Sequence, residues 1–243
     1  MIFRRFKRKT AASVLPLTVD VHSHLLPGID DGVESWDESL FILQELTNLG
    51  YNKVITTPHV IADHYPNTPE IILGKLRELK DLIAEHGLAV EVEAAAEYFL
   101  DEAFLQNLDN NKKFLTFGDK YLLFETSFIN KPNFLVDAVF KISAQGYKPV
   151  LAHPERYIYM QENPQIVEDL LTRDVLLQVN ISSLTGYYSK GARKMAEKLI
   201  DGNQVSFLGS DCHNQRHLSV LREASATKYF KRATRLNLRN NTL

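Results

Sequence analysis

Residues 20–31 read "DVHSHLLPGIDD". An apolar run leads in, two histidines stand one residue apart, and a Pro-Gly turn delivers two aspartates. The segment 17–24, "LTVDVHSH", reads as a β-strand, because a short apolar, β-branched run bounded by turn residues is the pattern of a buried strand. Side chains at i and i+2 of a strand face one side, so His22 and His24 leave its carboxyl end together. The fold turns on whether other strands end in the same way.

They do. Comparable runs recur at 52–59, "NKVITTPH"; 90–97, "VEVEAAAE"; 121–127, "YLLFETS"; 148–155, "KPVLAHPE"; 175–182, "VLLQVNIS"; and 204–213, "QVSFLGSDCH". Helical patterns lie between most of them. Ser35 and Glu38 form a capping box before "LFILQELTNLG", which ends at Gly50. Thr68-Pro69 opens a second helix and Gly87 closes it, Asn163-Pro164 starts another, and Gly146 and Gly202 end two more. The stretch 101–118 has no clear pattern. Strands alternating with helices predict βαβ units and a parallel sheet, and continuous apolar strands suit a sheet covered on both faces.

His24, His59, Glu97, Glu125, His153 and the pair Asp211/His213 close or nearly close strands one to five and seven, at separations of 35, 38, 28, 28 and 58 or 60 residues. The sixth strand ends in Asn180 instead. In a barrel of parallel strands all carboxyl ends meet on one face, where active sites sit. An open doubly wound sheet would string them along a line. The convergence favours a barrel.

A lone histidine in a strand is ordinarily a satisfied core residue, and a lone strand-end glutamate a capping or solvated group. So many on one rim is another matter, since burying the carboxylates without cations costs several kcal/mol apiece. Bound metal is the economical explanation. Asp31, seven residues past His24, folds back over the first strand's end; Asp30 is the lesser candidate of that pair. Nitrogen and carboxylate donors without a thiolate suit Mn²⁺, Fe²⁺ or Zn²⁺. The donors are too many for one ion, so two or three are expected.

The 243 residues, 44% hydrophobic and 24% charged, have an ordinary globular composition. A net charge of −2 gives no sign of nucleic-acid binding, but the charge is uneven. Residues 1–10 carry five positives, and residues 215–243 carry seven against the single Glu223, leaving −13 for the middle. Solvated tails are the plain reading of both ends; contact with an anionic membrane surface or an acidic partner is the sharper one. Cys212 is the only cysteine, which excludes an intramolecular disulfide and points to the reducing cytoplasm. No run of eighteen apolar residues offers a membrane span. The opening "MIFRRFKRKTAASVLPL" imitates a signal peptide faintly, but Pro16 interrupts its apolar run, which passes straight into the first strand. The expected organisation is a basic segment over 1–16 and one catalytic domain over 17–243 with a basic C-terminal helix.

Thiol-phosphatase chemistry is excluded. It needs His-Cys-x5-Arg, whereas Cys212 follows Asp211, and Leu218 stands where the arginine would be required. No serine nucleophile elbow and no Walker loop is present.

"DVHSHLLPGIDDG", "TPH", "AAAEYF", "LFETS", "LAHPERY" and "GSDCHN", in this order over residues 18–216, resemble the polymerase-and-histidinol-phosphatase (PHP) superfamily. More closely, they resemble its capsular-polysaccharide branch of manganese-dependent protein-tyrosine phosphatases. The resemblance implies a distorted, TIM-like (β/α)7 barrel of α/β class with a trinuclear metal site. It would place one metal on His22, His24, Glu97 and Asp211, a second on Glu97, Glu125 and His153, and a third on Asp31, His59 and His213. Arg156, in "HPERY", matches a phosphate-binding arginine, and Arg216 is the candidate for a second. Cys212 would point away from its metal-binding neighbours as filler. The implied substrate is the phosphotyrosine tail of a bacterial tyrosine kinase that controls capsule or exopolysaccharide export. Such kinases sit at the inner membrane, which the basic termini could help a cytoplasmic enzyme to find.

A tyrosinate leaving group, with a pKa near 10, needs little protonation, so aryl phosphates are expected to react much faster than phosphoserine. The rival readings are a histidinol-phosphate or other small-molecule phosphatase of the same superfamily, a metal-dependent nuclease, and a non-catalytic phosphotyrosine binder. The acidic middle of the chain disfavours the nuclease.

Overall fold

The computed structural model describes residues 15–243. The basic cluster within residues 1–10, and with it most of the 1–16 segment, lies outside the described residues. The strands are β1 (Val19–Asp20), β2 (Lys53–Thr56), β3 (His59–Val60), β4 (Glu91–Ala94), β5 (Glu97–Phe99), β6 (Tyr121–Glu125), β7 (Lys148–Ala152), β8 (Leu176–Asn180) and β9 (Phe207–Gly209). All pair in parallel, in the orders β1-β2-β4 and β3-β5-β6-β7-β8-β9.

Seven strand positions are present, with two differences from the sequence reading. The segments 52–59 and 90–97 are each broken, at Thr57-Pro58 and at Ala95-Ala96, into β2/β3 and β4/β5. Pro58 has no N–H to give to a ladder. The chain nevertheless stays bonded to its neighbours: Thr57 N donates to Ser23 O (2.7 Å) and Glu97 N to Pro58 O (3.1 Å). First and last strands meet through a parallel bridge, Ser23 with Cys212, which closes a distorted barrel.

Its interior is a small apolar cluster including Val21, Ile55, Leu123, Val150 and Phe207, and a larger cluster lies between strands and helices. The helices are α1 (Trp36–Leu49), α2 (Pro69–His86), α3 (Glu102–Asp109), α4 (Leu135–Ala144), α5 (Ile158–Glu162), α6 (Gln165–Leu171), α7 (Lys190–Asp201), α8 (Gln215–Ser225) and α9 (Lys228–Ala233). Ser35 caps α1 by accepting from Glu38 N (3.2 Å), while the Glu38 carboxylate reaches Glu34 N–H, so the reciprocal half of the capping box falls one residue early. Thr68 caps α2, with Pro69 in its first turn.

The basic C-terminal part is two helices rather than one, and it does not end as a solvated tail. Asn240 is fully buried: it donates to Val19 O (3.0 Å) and Leu208 O (2.8 Å) and accepts from Leu208 N (3.0 Å). The last residues thus tie β1 to β9 near the closure of the barrel. Among the described residues no helix is long and apolar enough to cross a membrane.

Candidate metal centre

His22 and His24 lie just past β1, where pairing with the final strand's continuation fixes them: Asp211 N donates to His22 O (2.8 Å) and His24 N to Cys212 O (2.9 Å). Two glycines make room. A Cβ on Gly209 would stand 2.7 Å from the Cβ of His22, and one on Gly32 would stand 2.6 Å from the Cβ of His24. His153 and Asp211 adopt left-handed backbone, with φ of 34° and 50°. Non-glycine residues rarely sit there, at about 1–3 kcal/mol each, and such strain gathers at functional sites.

The structure brings all nine sequence-derived donors together at the carboxyl rim. Glu97 Oε2 lies 3.1 Å from His22 Nε2 and 3.4 Å from His24 Nε2, and Asp211 Oδ1 lies 3.5 and 3.6 Å from the same nitrogens. The other Glu97 oxygen lies 2.8 Å from His153 Nε2, with Glu125 3.8 Å from that nitrogen. Asp31 Oδ1 stands 3.4 Å from both His59 Nε2 and His213 Nε2. The grouping differs from three separate sets in two respects. His59 also turns Nδ1 to Glu97 and Glu125, at 3.2 Å each, and His24 joins Asp31, His59 and His213 as well as His22 and Asp211.

Bonds behind the donors decide which nitrogens face inward. His22 Nδ1 donates to Gln178 Oε1 (2.7 Å), and His24 Nδ1 to Asp30 Oδ2 (2.8 Å). Both Nε2 lone pairs are therefore aimed at one point, only 3.2 Å apart. Two such lone pairs repel unless a cation lies between them. His59 Nδ1 is buried beside two carboxylates yet makes no hydrogen bond, and His153 Nδ1 also lacks a partner. This donor set fits divalent cations.

Without cations, protons take their place. Burial alone would lower the pKa values of His22 and His59, but facing carboxylates outweigh it: Glu97 and Asp211 raise His22 to about 9, and Glu97 with Glu125 raises His59 to about 10, whereas at His153 burial and Arg156 win and the pKa falls. Burial pushes the Glu97 and Asp211 carboxyls up, and the surrounding imidazoles, with Arg156 at Asp211, still hold them well below the usual carboxylate range.

A cavity of about 570 Å³ opens over this rim, walled by aromatic residues including Tyr65, Phe99, Phe128 and Tyr187. Arg156 lines it, with its guanidinium carbon 4.5 Å from the Phe128 ring centre and 4.2 Å from that of Tyr188. Its Nη1 donates to Asp211 Oδ2 (3.0 Å), which also accepts from Asn180 Nδ2 (2.6 Å) and the Tyr188 hydroxyl (3.0 Å). Arg216 is not among the lining groups; it is exposed, 5.5 Å from the Tyr187 ring centre. The Cys212 thiol is buried away from the donors, against Asn214 O. Sequence reading missed Gln178, Asn180, Phe128, Tyr188 and His217. Gln178 and Asn180 lie in the last three residues of β8 and Phe128 three residues past β6, on the rim where a barrel's loops form the site, whereas Tyr188 and His217 stand eight residues beyond β8 and β9 and carry no such signal.

A sequence model described as "Capsular polysaccharide synthesis, CpsB/CapC" matches residues 18–235. The chain belongs to that family. Among CpsB/CapC relatives, it is 29% identical over 196 residues to a putative tyrosine-protein phosphatase CapC of Staphylococcus aureus, covering 81% of this chain and 77% of that protein. It is 27% identical, with the same coverage, to tyrosine-protein phosphatase YwqE of Bacillus subtilis (strain 168). In structure it resembles a chain described with YwqE from Bacillus subtilis and CpsB from Streptococcus pneumoniae as "unique metal-dependent tyrosine phosphatases". That match has a TM-score of 0.76 and 25% identity, covering 91% of this chain and 94% of the other.

Proposed function

We propose that this chain is a metal-dependent protein-tyrosine phosphatase, a phosphomonoester hydrolase acting on the phosphotyrosine tail of a bacterial tyrosine kinase that regulates capsular or exopolysaccharide biosynthesis. The observation that carries the reading is the aim of the His22 and His24 Nε2 lone pairs at one point beside buried Glu97 and Asp211, under a cavity that also holds Arg156. His22, His24, Asp31, His59, Glu97, Glu125, His153, Asp211 and His213 would hold two or three ions, Mn²⁺ first and Fe²⁺ or Zn²⁺ as alternatives. Such ions lower the pKa of water toward neutrality and offset phosphate charge.

The chain's own groups do the rest. Arg156 offers a planar fork of N–H donors to the non-bridging phosphate oxygens, and Phe128 and Tyr188 keep that plane fixed. Arg216, outside the cavity, would serve as a second cation only by swinging over Tyr187. Tyr65, Phe99, Phe128 and Tyr187 form walls suited to a phenyl ring. Within the cytoplasm, the basic residues 1–10 would favour contact with the anionic inner-membrane face.

The test is phosphate release by purified protein from a phosphotyrosyl peptide, a phosphoseryl peptide and histidinol phosphate, with Mn²⁺ and then with EDTA. Fast, chelator-sensitive turnover of the first substrate alone is expected. Equal rates on all three, or a preference for histidinol phosphate, would overturn the assignment.

A further inference from the structure

We propose that a second, smaller cavity beside the metal-facing one receives an apolar side chain of the substrate peptide, within two residues of the phosphotyrosine. The inference rests on the phosphatase reading and adds a subsite to it.

The cavity measures about 140 Å³ and lies on the same rim, between the loop after β3 and the start of α3. Its walls include Val60, Ala62, Pro66, Phe99, Ala103 and Phe104. The partition from the large cavity is a small hairpin, in which Ile61 N donates to Tyr65 O (3.0 Å) and Tyr65 N to Ile61 O (2.8 Å). Alternation along this segment explains the division. His59 and Ile61 face the metal-side cavity, whereas Val60 and Ala62 line the small one. Phe99 belongs to both. The two spaces adjoin at this single ring.

The far wall is held in place. Asp101 accepts from Ala62 N (3.3 Å) with one oxygen and from Phe104 N (2.7 Å) with the other, tying the hairpin to the first turn of α3. The subsite is therefore preformed. Asp101 is also the one charged residue lining it, which disfavours an acidic side chain. The volume is close to that of an apolar cavity that accepts benzene, about 150 Å³, so a leucine or phenylalanine side chain is the matching size. In an extended peptide, residues two apart point the same way about 7 Å from each other. A substrate with its phosphotyrosine over Glu97 can thus pass across Phe99 and lower a neighbouring apolar side chain into the smaller space.

The experiment uses the Mn²⁺-loaded full chain and phosphotyrosyl peptides carrying Leu, Phe, Gly or Asp at each of the two positions before and after the phosphotyrosine. An apolar residue at one of these positions should raise kcat/KM about tenfold over Gly, chiefly through KM. Ala103→Leu, which fills the cavity, should abolish that gain while leaving p-nitrophenyl phosphate turnover unchanged. Ala62→Leu gives the same readout should the first variant fold poorly. No dependence on the flanking residue, or a gain that survives both variants, overturns the subsite. A wild-type protein inactive on p-nitrophenyl phosphate would instead refute the phosphatase reading itself.

Discussion

His22 and Gln178, 156 residues apart in the chain, share a buried 2.7 Å hydrogen bond that commits His22 Nδ1 as a donor and leaves Nε2 facing Glu97. Asp30 does the same for His24. Outer partners of this kind typically contribute 10–100-fold to metal affinity. Gln178→Leu and Asp30→Asn should each weaken Mn²⁺ binding by about tenfold or more, read from the metal dependence of aryl-phosphate hydrolysis, with kcat at saturating metal much less affected. Unchanged metal dependence in both would show that imidazole orientation is set elsewhere.

Arg156 lies between two rings while Tyr188 also ties down Asp211. Phe128→Ala removes one ring and deletes no donor, though that ring lies 5.7 Å from the His153 ring, so KM for an aryl phosphate should rise several-fold with a smaller change in metal affinity. Tyr188→Phe keeps the ring and deletes the hydroxyl, so it should move metal affinity more than KM. Arg156→Lys, lacking the planar fork, should cost about tenfold or more in kcat/KM. Steady-state kinetics on the three variants separate these roles.

The sign of the pH response follows from the raised imidazoles. His22, at about 9 in the folded chain against an unperturbed 6.5, stabilises the metal-free fold fully below pH 6.5, and that contribution is lost as pH rises through 9. His59, at about 10, behaves alike. Metal ligation must displace these protons, so affinity should climb with pH across this window. The rise in Tm on adding Mn²⁺ should be larger near pH 8 than near pH 6, as thermal unfolding of the chelated and loaded protein would show. A larger rise at the lower pH would contradict the assignment of these imidazoles as ligands.

Asn240 makes three buried hydrogen bonds that join the chain's end to β1 and β9. Asn240→Ala would leave two carbonyls and an amide unsatisfied, costing about 2–4 kcal/mol. Denaturant unfolding should report that loss, with the m-value and aryl-phosphate kcat retained.

The meeting of these side chains was legible in the sequence because all but Asp31 close or closely follow an apolar strand, and parallel strands in a barrel share one rim. His22, His59, Glu97 and His153 need only that rule to meet. The caps at Ser35 and Thr68 were legible for a local reason, a hydroxyl three residues before the N–H it accepts from. What was hidden depends on distant pairing or on backbone torsion. Gln178 matters only because β8 lies against β9, where Gly209 leaves its side chain room to reach His22. The left-handed turns at His153 and Asp211 leave no mark in residue type. The basic charge of residues 215–243 suggested a solvated tail, but the contacts that hold it come from buried Asn240 and exposed Asn241, which a charge count passes over. Arg216 was placed by motif position alone, and its helix carries it outside the cavity.

Anomalous diffraction from a crystal grown with Mn²⁺ addresses the central claim most directly. We expect two or three peaks at the carboxyl rim, with carboxylate oxygens of Glu97 within about 2.0–2.3 Å of two of them and the Nε2 atoms of His22 and His24 converging on one. Manganese elsewhere in the molecule, with nothing in coordinating range of Glu97, would contradict the account.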